Sequence, residues 1–148
     1  MDTLISVVTV VIVGILVGAE FAVAVFVNPI FDRLPHNGGL AARTDGARLL
    51  GRVMPFWYIA SVVLAVVTAL AVAGSGRWFW VAGAGLLLVS VLMSVTLLVP
   101  INNRVRRWSG SDFPADWREQ VGRWDRLHFV RVAVITAGFV LMAIAATR

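Results

Sequence analysis

Four long apolar runs divide this chain, over residues 4–27, 53–73, 79–99 and 128–146. Each approaches the roughly 20 residues that a helix needs to cross a bilayer core. In the first run Gly14, Gly18 and Ala22 fall four apart, a small-residue face suited to close helix packing. Glu20 interrupts that run, and Asn28-Pro29 marks its end, because proline disfavours helix at the residue before it. Asp2 is the only charge ahead of the run; a cleaved leader would start basic, so the run reads as a retained span. In the second run Trp57 and Tyr58 sit where an aromatic belt would put them. Tyr58, Ser61, Ala65 and Thr68 share one face, which either packs on a neighbour or lines a pocket. Gly74-Ser75-Gly76-Arg77 predicts a tight turn that makes spans two and three antiparallel neighbours. Trp78 and Trp80 follow as interfacial anchors, Ser90 and Ser94 lie one turn apart in the third run, and Pro100 closes it.

The connections between the runs are polar. Residues 31–52 hold a turn at His36-Asn37-Gly38-Gly39 and a short interfacial helix over 40–50 with Arg43 and Arg48. The stretch 100–131 carries Arg104, Arg106 and Arg107, then a turn at Ser109-Gly110-Ser111. Pro114 suits a first helical position, and no strong breaker follows, so one helix is predicted from about Pro114 to about Ala146. At ~1.5 Å per residue it would run about 50 Å against a core of about 30 Å, and would project from the membrane. Trp117, Val121, Trp124, His128 and Arg131 recur along it at steps of four and three, one helical stripe. The fold class that follows is all-α, an integral membrane four-helix bundle with a long fourth helix reaching into the cytoplasm, and one domain over the whole chain.

Composition agrees. The chain is 59% hydrophobic and 14% charged, against about 25% charged in a soluble domain. It has no cysteine, which excludes thiol catalysis and thiolate metal sites, and with them the quinone–disulfide oxidoreductases of similar size. The net charge is +5, carried by arginine alone. These arginines lie between apolar runs, which points to topology and anionic lipid rather than nucleic acid. The first and third connections hold Arg33, Arg43, Arg48, Arg52, Arg104, Arg106, Arg107, Arg118, Arg123 and Arg126, and the opposite face only Arg77 and Arg148. That asymmetry places the long connections in the cytoplasm and both termini outside.

Candidate chemistry gathers at the cytoplasmic ends of the spans, where Asn28, Arg52, Asn102, Asn103 and His128 converge with Glu20 deeper. A polar cluster at a bundle mouth over an apolar cavity is a ligand site. His128 can exchange a proton near neutral pH, or stand as a hydrogen-bonded structural group, with Asp125 one turn away to orient it. Asn102 and Asn103 either donate to a developing oxyanion or cap a helix end. Trp117 and Trp124 either stack on an aromatic ligand or anchor the interface. Glu20 and Arg131 fall at similar depth and would pair across the bundle, since a lone charge there costs a few kcal/mol. No metal site is expected, because Glu20 and His128 supply two ligands and His36 lies in a distant loop. The expected partners are a hydrophobic small molecule and membrane lipid, with a homo-oligomer open.

Several stretches resemble the DUF1772 family of small membrane proteins, the anthrone oxygenase-like family. They are Gly18-Ala19-Glu20 leading to Asn28-Pro29, Gly51-Arg52-Val53-Met54-Pro55-Phe56-Trp57-Tyr58, Val99-Pro100-Ile101-Asn102-Asn103, and Trp124 followed by His128 and Arg131. Many members read W-N-H-x-R at the last element; here Leu127 precedes His128 and two residues separate it from Arg131. The resemblance implies four membrane helices and oxidation of an anthrone-like polyketide by O2 without metal or flavin. It makes His128 the base, Asn102 and Asn103 the enolate donors, and Trp124 a pocket wall. By their places at the bundle mouth and on the helix faces, Asn28, Arg52, Tyr58 and Trp117 are expected against the substrate. The alternative is a non-catalytic bundle that binds a lipid, a small ligand or a protein.

Overall fold

The computed structural model describes residues 2–35, 38–109 and 112–147, the side chain of Asp2 excepted. His36 and Asn37 of the first turn, Gly110 and Ser111 of the second, and Arg148 lie outside the described residues. Four helices carry the fold: α1 (Thr3–Asp32), α2 (Gly38–Ala71), α3 (Arg77–Val105) and α4 (Trp117–Ala146). All four are long and apolar enough to cross a membrane, and no strand occurs among the described residues. Each helix packs on its two neighbours in an up-and-down ring closed by α1 against α4. Large apolar side chains such as Leu4, Phe56, Leu70 and Leu92 are exposed around the ring. A surface of that kind is made for lipid rather than water.

The helix end expected at Asn28-Pro29 does not occur, and the third helix likewise continues past the proline that closes its apolar run. α1 runs through Asn28-Pro29 to Asp32, and α3 runs through Pro100 to Val105. A wide π turn lies just upstream of each proline, at Val23–Val27 and at Ser94–Leu98. In the first, the Asn28 amide bonds to Val23 O, five residues back. Proline clashes with the carbonyl four residues before it, which is Val25 for Pro29 and Thr96 for Pro100. Both carbonyls fall inside a π turn, so the wider turn accommodates the ring without ending the helix.

The interfacial helix and second span expected as separate pieces form one helix of 34 residues with Pro55 inside it. Its first turns are held down because Leu40 and Ala47 pack with Ile101, Val105 and Val121 in a cluster at the arginine-rich end. α4 starts at Trp117 rather than Pro114, since Pro114 closes a turn to the Trp117 amide (3.1 Å).

The main core runs along the bundle axis through Leu16, Ala65, Trp80, Leu87, Ile135 and Met142. Trp80 is therefore a core residue and not an interfacial anchor, whereas Trp78 is exposed. A close crossing joins α3 to α4 at Gly83 and Gly138. A Cβ on Gly83 would stand 2.9 Å from Gly138 O and 2.8 Å from Met142 Cγ. The small-residue face read on α1 does less: Gly14 faces the Phe139 ring, and a Cβ on Gly18 would meet nothing within 4 Å. Gly83→Ala should therefore destabilise the protein by about 1–3 kcal/mol through overpacking. Gly18→Ala should be neutral or raise stability by up to about 1 kcal/mol through helix propensity. Thermal unfolding in detergent checks both; a loss at Gly18 equal to that at Gly83 would disprove this assignment of the crossing.

Candidate functional site

The π turn of α1 begins three residues after Glu20, and the π turn of α3 begins at Ser94. α4 brings His128 and Arg131 between them, one helical turn apart. Glu20, His128 and Arg131 are all buried. Arg131 Nη2 donates to Glu20 Oε2 at 2.5 Å and to His128 Nδ1 at 3.0 Å. Its Nη1 donates to Ser94 Oγ at 2.9 Å. The Ser94 hydroxyl spends its own hydrogen on Ser90 O (2.7 Å), which leaves its oxygen free to accept. His128 Nε2 lies 3.1 Å from the Glu20 backbone carbonyl.

These contacts fix the imidazole tautomer. A guanidinium only donates, so Nδ1 is the accepting nitrogen, and Nε2 carries the hydrogen given to the carbonyl. Trp124 stacks on the ring at 4.6 Å between centroids and 19° between planes. Both nitrogens are thus engaged and one face is covered. Asp125, expected to orient His128, does not touch it. Asp125 accepts from Arg43 Nη1 and Nη2 (both 2.9 Å) and from Asn28 Nδ2 (2.8 Å). Three residues of helix turn the carboxylate about 60° off the His128 stripe, toward the two-pronged donor on α2. Arg43 also reaches Asp32 at 2.8 Å, so this cluster ties α1, α2 and α4 together beside the site.

A cavity of about 440 Å³ opens over the Glu20–Arg131 pair, within the usual range for a small-molecule site. Its deep end is formed by Glu20, Tyr58, Ser94, His128 and Arg131, and its outer end by Gly51, Asn102, Asn103 and Arg106. Eight residues separate Ser94 from Asn102, so the slot is about 12 Å long. The guanidinium of Arg131 lies 5.3 Å over the Tyr58 ring. The Tyr58 hydroxyl is buried near the Glu20 carboxylate yet closes no hydrogen bond. Arg131 Nε is likewise buried without a partner. Unpaired buried polar atoms are costly, and these two lie at the wall of an apolar cavity. Asn102 Nδ2 gives one hydrogen to Ala47 O (3.3 Å) and keeps the other. Gly51 makes room for that amide, since a Cβ there would stand 3.2 Å from it. Pro55 has no amide hydrogen for the Gly51 carbonyl, which adds an acceptor at the outer end.

The cavity thus gathers Glu20, Tyr58, Asn102, Asn103, Trp124, His128 and Arg131. Three other candidates lie elsewhere. Arg52 is exposed and outside the cavity. Trp117 packs edge-on against Phe113 (6.1 Å) beneath Arg118. Asn28 is buried against Asp125. Sequence reasoning missed the hydrogen bond from Arg131 to Ser94 and the Arg43–Asp125 bridge. A serine deep in α3 was a signal for the first, and an arginine in a weakly amphipathic segment for the second. Among the described residues no three His, Cys, Asp or Glu side chains group as metal ligands. Glu20 and His128 are only a pair, and the accepting nitrogen of His128 faces a cation.

No curated protein and no solved structure matches this chain. The family described as anthrone oxygenase matches residues 47–141. That match covers well over half of the chain and every cavity residue named above except Glu20, which precedes it. The chain therefore belongs to the anthrone oxygenase family, DUF1772.

Proposed function

We propose that this protein oxidises a hydrophobic, anthrone-like aromatic with O2 inside the membrane, without a bound cofactor. The observation that carries the reading is the buried Glu20–Arg131 pair at the deep end of a slot walled by apolar side chains. An anthrone has an acidic methylene on one side of its central ring and a carbonyl on the other. With the methylene at the deep end, the carbonyl points along the slot toward Asn102 and Asn103.

Glu20 removes one methylene proton, and the electron pair passes to the ring oxygen, held by the two amides. Site charge is conserved: a carboxylate is neutralised as an enolate forms, and a negative charge returns beside Arg131 when O2 is reduced there. The enolate gives one electron to O2. Superoxide and the carbon radical then combine beside Arg131 into a C–O bond. The peroxide anion takes the proton back from Glu20. The O–O bond breaks as the second methylene hydrogen leaves, releasing one water and a carbonyl. One oxygen atom of O2 ends in the quinone and one in water. His128 and Ser94 orient the guanidinium, and Trp124 forms a flat wall for the rings. This reading moves the base from His128 to Glu20, because both imidazole nitrogens are occupied.

We further propose that the outer end of the slot faces the cytoplasm at the cell membrane, on the arginine asymmetry of the connections. A reporter fused after Arg148 should then be active only if it works outside the cytoplasm; cytoplasmic activity would reverse the orientation. For the reaction itself, the protein in lipid nanodiscs should convert anthrone to anthraquinone with one O2 consumed per quinone formed. Turnover no faster than in empty nanodiscs would sink the reading.

A further inference from the structure

The cavity wall is lopsided. Its α1 and α4 side is buried and polar, through Glu20, His128 and Arg131. Its other side is formed by α2 and α3, where Tyr58, Ser94 and Asn102 stand among apolar residues and some of those apolar residues are open to the outside. Ile59 is 61% exposed, Val95 62% and Val99 42%, yet all three line the cavity. These positions stand on the membrane-spanning helices, so the medium outside them is hydrocarbon. α2 and α3 are joined by a tight turn at Gly74 and pack together through Ala65, Ala69, Trp80 and Ala84. Further along they both border the slot. The π turn Ser94–Leu98 lies there and contributes Ser94, Val95 and Leu98 to its wall.

We infer that the slot has a lateral opening between α2 and α3, through which its substrate arrives from the bilayer. This rests on the proposed oxidation and narrows its substrate class to neutral, planar aromatics that partition into hydrocarbon. A charged, water-borne substrate would have to shed its hydration among Ile59, Val95 and Val99, where no polar side chain replaces it. O2 also dissolves better in hydrocarbon than in water, so both reactants reach the slot from the same phase.

The test uses the absence of cysteine in this chain. Ile59→Cys and Val95→Cys together supply two thiols across the opening, to be bridged by a thiol-cleavable bis-maleimide. In proteoliposomes with acyl chains brominated near the headgroup, the Trp124 contribution to fluorescence is read by subtracting the matching Trp124→Phe protein. Brominated chains should quench Trp124, bridging should remove at least half of that quenching, and cleavage should restore it. In the same vesicles, anthrone turnover should fall at least tenfold on bridging and recover on cleavage. Trp124 quenching in the cysteine-free protein gives the same reading if the double variant does not fold. Quenching by aqueous iodide alone, or quenching that bridging leaves unchanged, would overturn the lateral opening. Bridging that relieves quenching but leaves turnover intact would mean that only acyl chains use the gap, and would overturn it as the substrate route. Relief of quenching in a protein that never oxidises anthrone would leave the opening standing and defeat the proposed reaction.

Discussion

Glu20→Gln or Arg131→Met alone should each cost about 3–5 kcal/mol of stability, and the double variant should cost clearly less than their sum. The two side chains share a 2.5 Å hydrogen bond and are buried together. Removing one partner leaves an uncompensated charge in a low-dielectric interior, while removing both leaves none. Each partner keeps some polar contact when the other is removed. Without Glu20, Arg131 still donates to Ser94 and His128. Without Arg131, Glu20 still has the Tyr58 hydroxyl beside it. Unfolding of the four proteins in one detergent yields the coupling, expected at about 2–3 kcal/mol. Additivity within about 0.5 kcal/mol would show that the pair does not stabilise the bundle as a unit.

The pairing of Glu20 with Arg131 was legible because depth can be counted along a helix from its polar end, and because charges in a bilayer need partners. The four helices were legible for the same kind of reason, since long apolar runs leave little choice of structure. Rotation about each helix axis was not. Asp125 and His128 are three apart, which permits contact, but which neighbour each faces depends on where α2 places Arg43. Trp80 reads as an anchor from its place at the start of a span, yet its rotational setting buries it against the core. Asn28-Pro29 and Val99-Pro100 are strong breakers in sequence; that a π turn absorbs each follows from tertiary packing that holds the chain on course. Trp117 and Trp124 share a stripe, but that stripe is longer than the cavity, so only the deeper one reaches it. The slot itself is a gap between four surfaces and has no local signature.

The largest effect on turnover should come from Glu20→Gln, and the most informative comparison is with His128→Gln. Glutamine at position 20 keeps the shape and can still accept from Arg131, but it cannot take a proton. Loss of a positioned base costs about 10²–10⁴-fold, so anthrone oxidation should drop by that factor with little change in anthrone binding. Glutamine at position 128 is different. Its amide N–H can serve the Glu20 carbonyl, and its oxygen can accept from Arg131, which reproduces both contacts of the imidazole. His128→Gln should therefore keep turnover within about tenfold of the parent, the loss of one misplaced contact rather than of a base. His128→Phe, which fills the space and makes neither contact, should release the guanidinium and lose far more. If His128 were the proton acceptor, both His128 variants would lose about 10²–10⁴-fold alike, and Glu20→Gln would fall less than either. Rates of quinone formation in nanodiscs at one pH, with folding checked by gel filtration, decide between the two assignments.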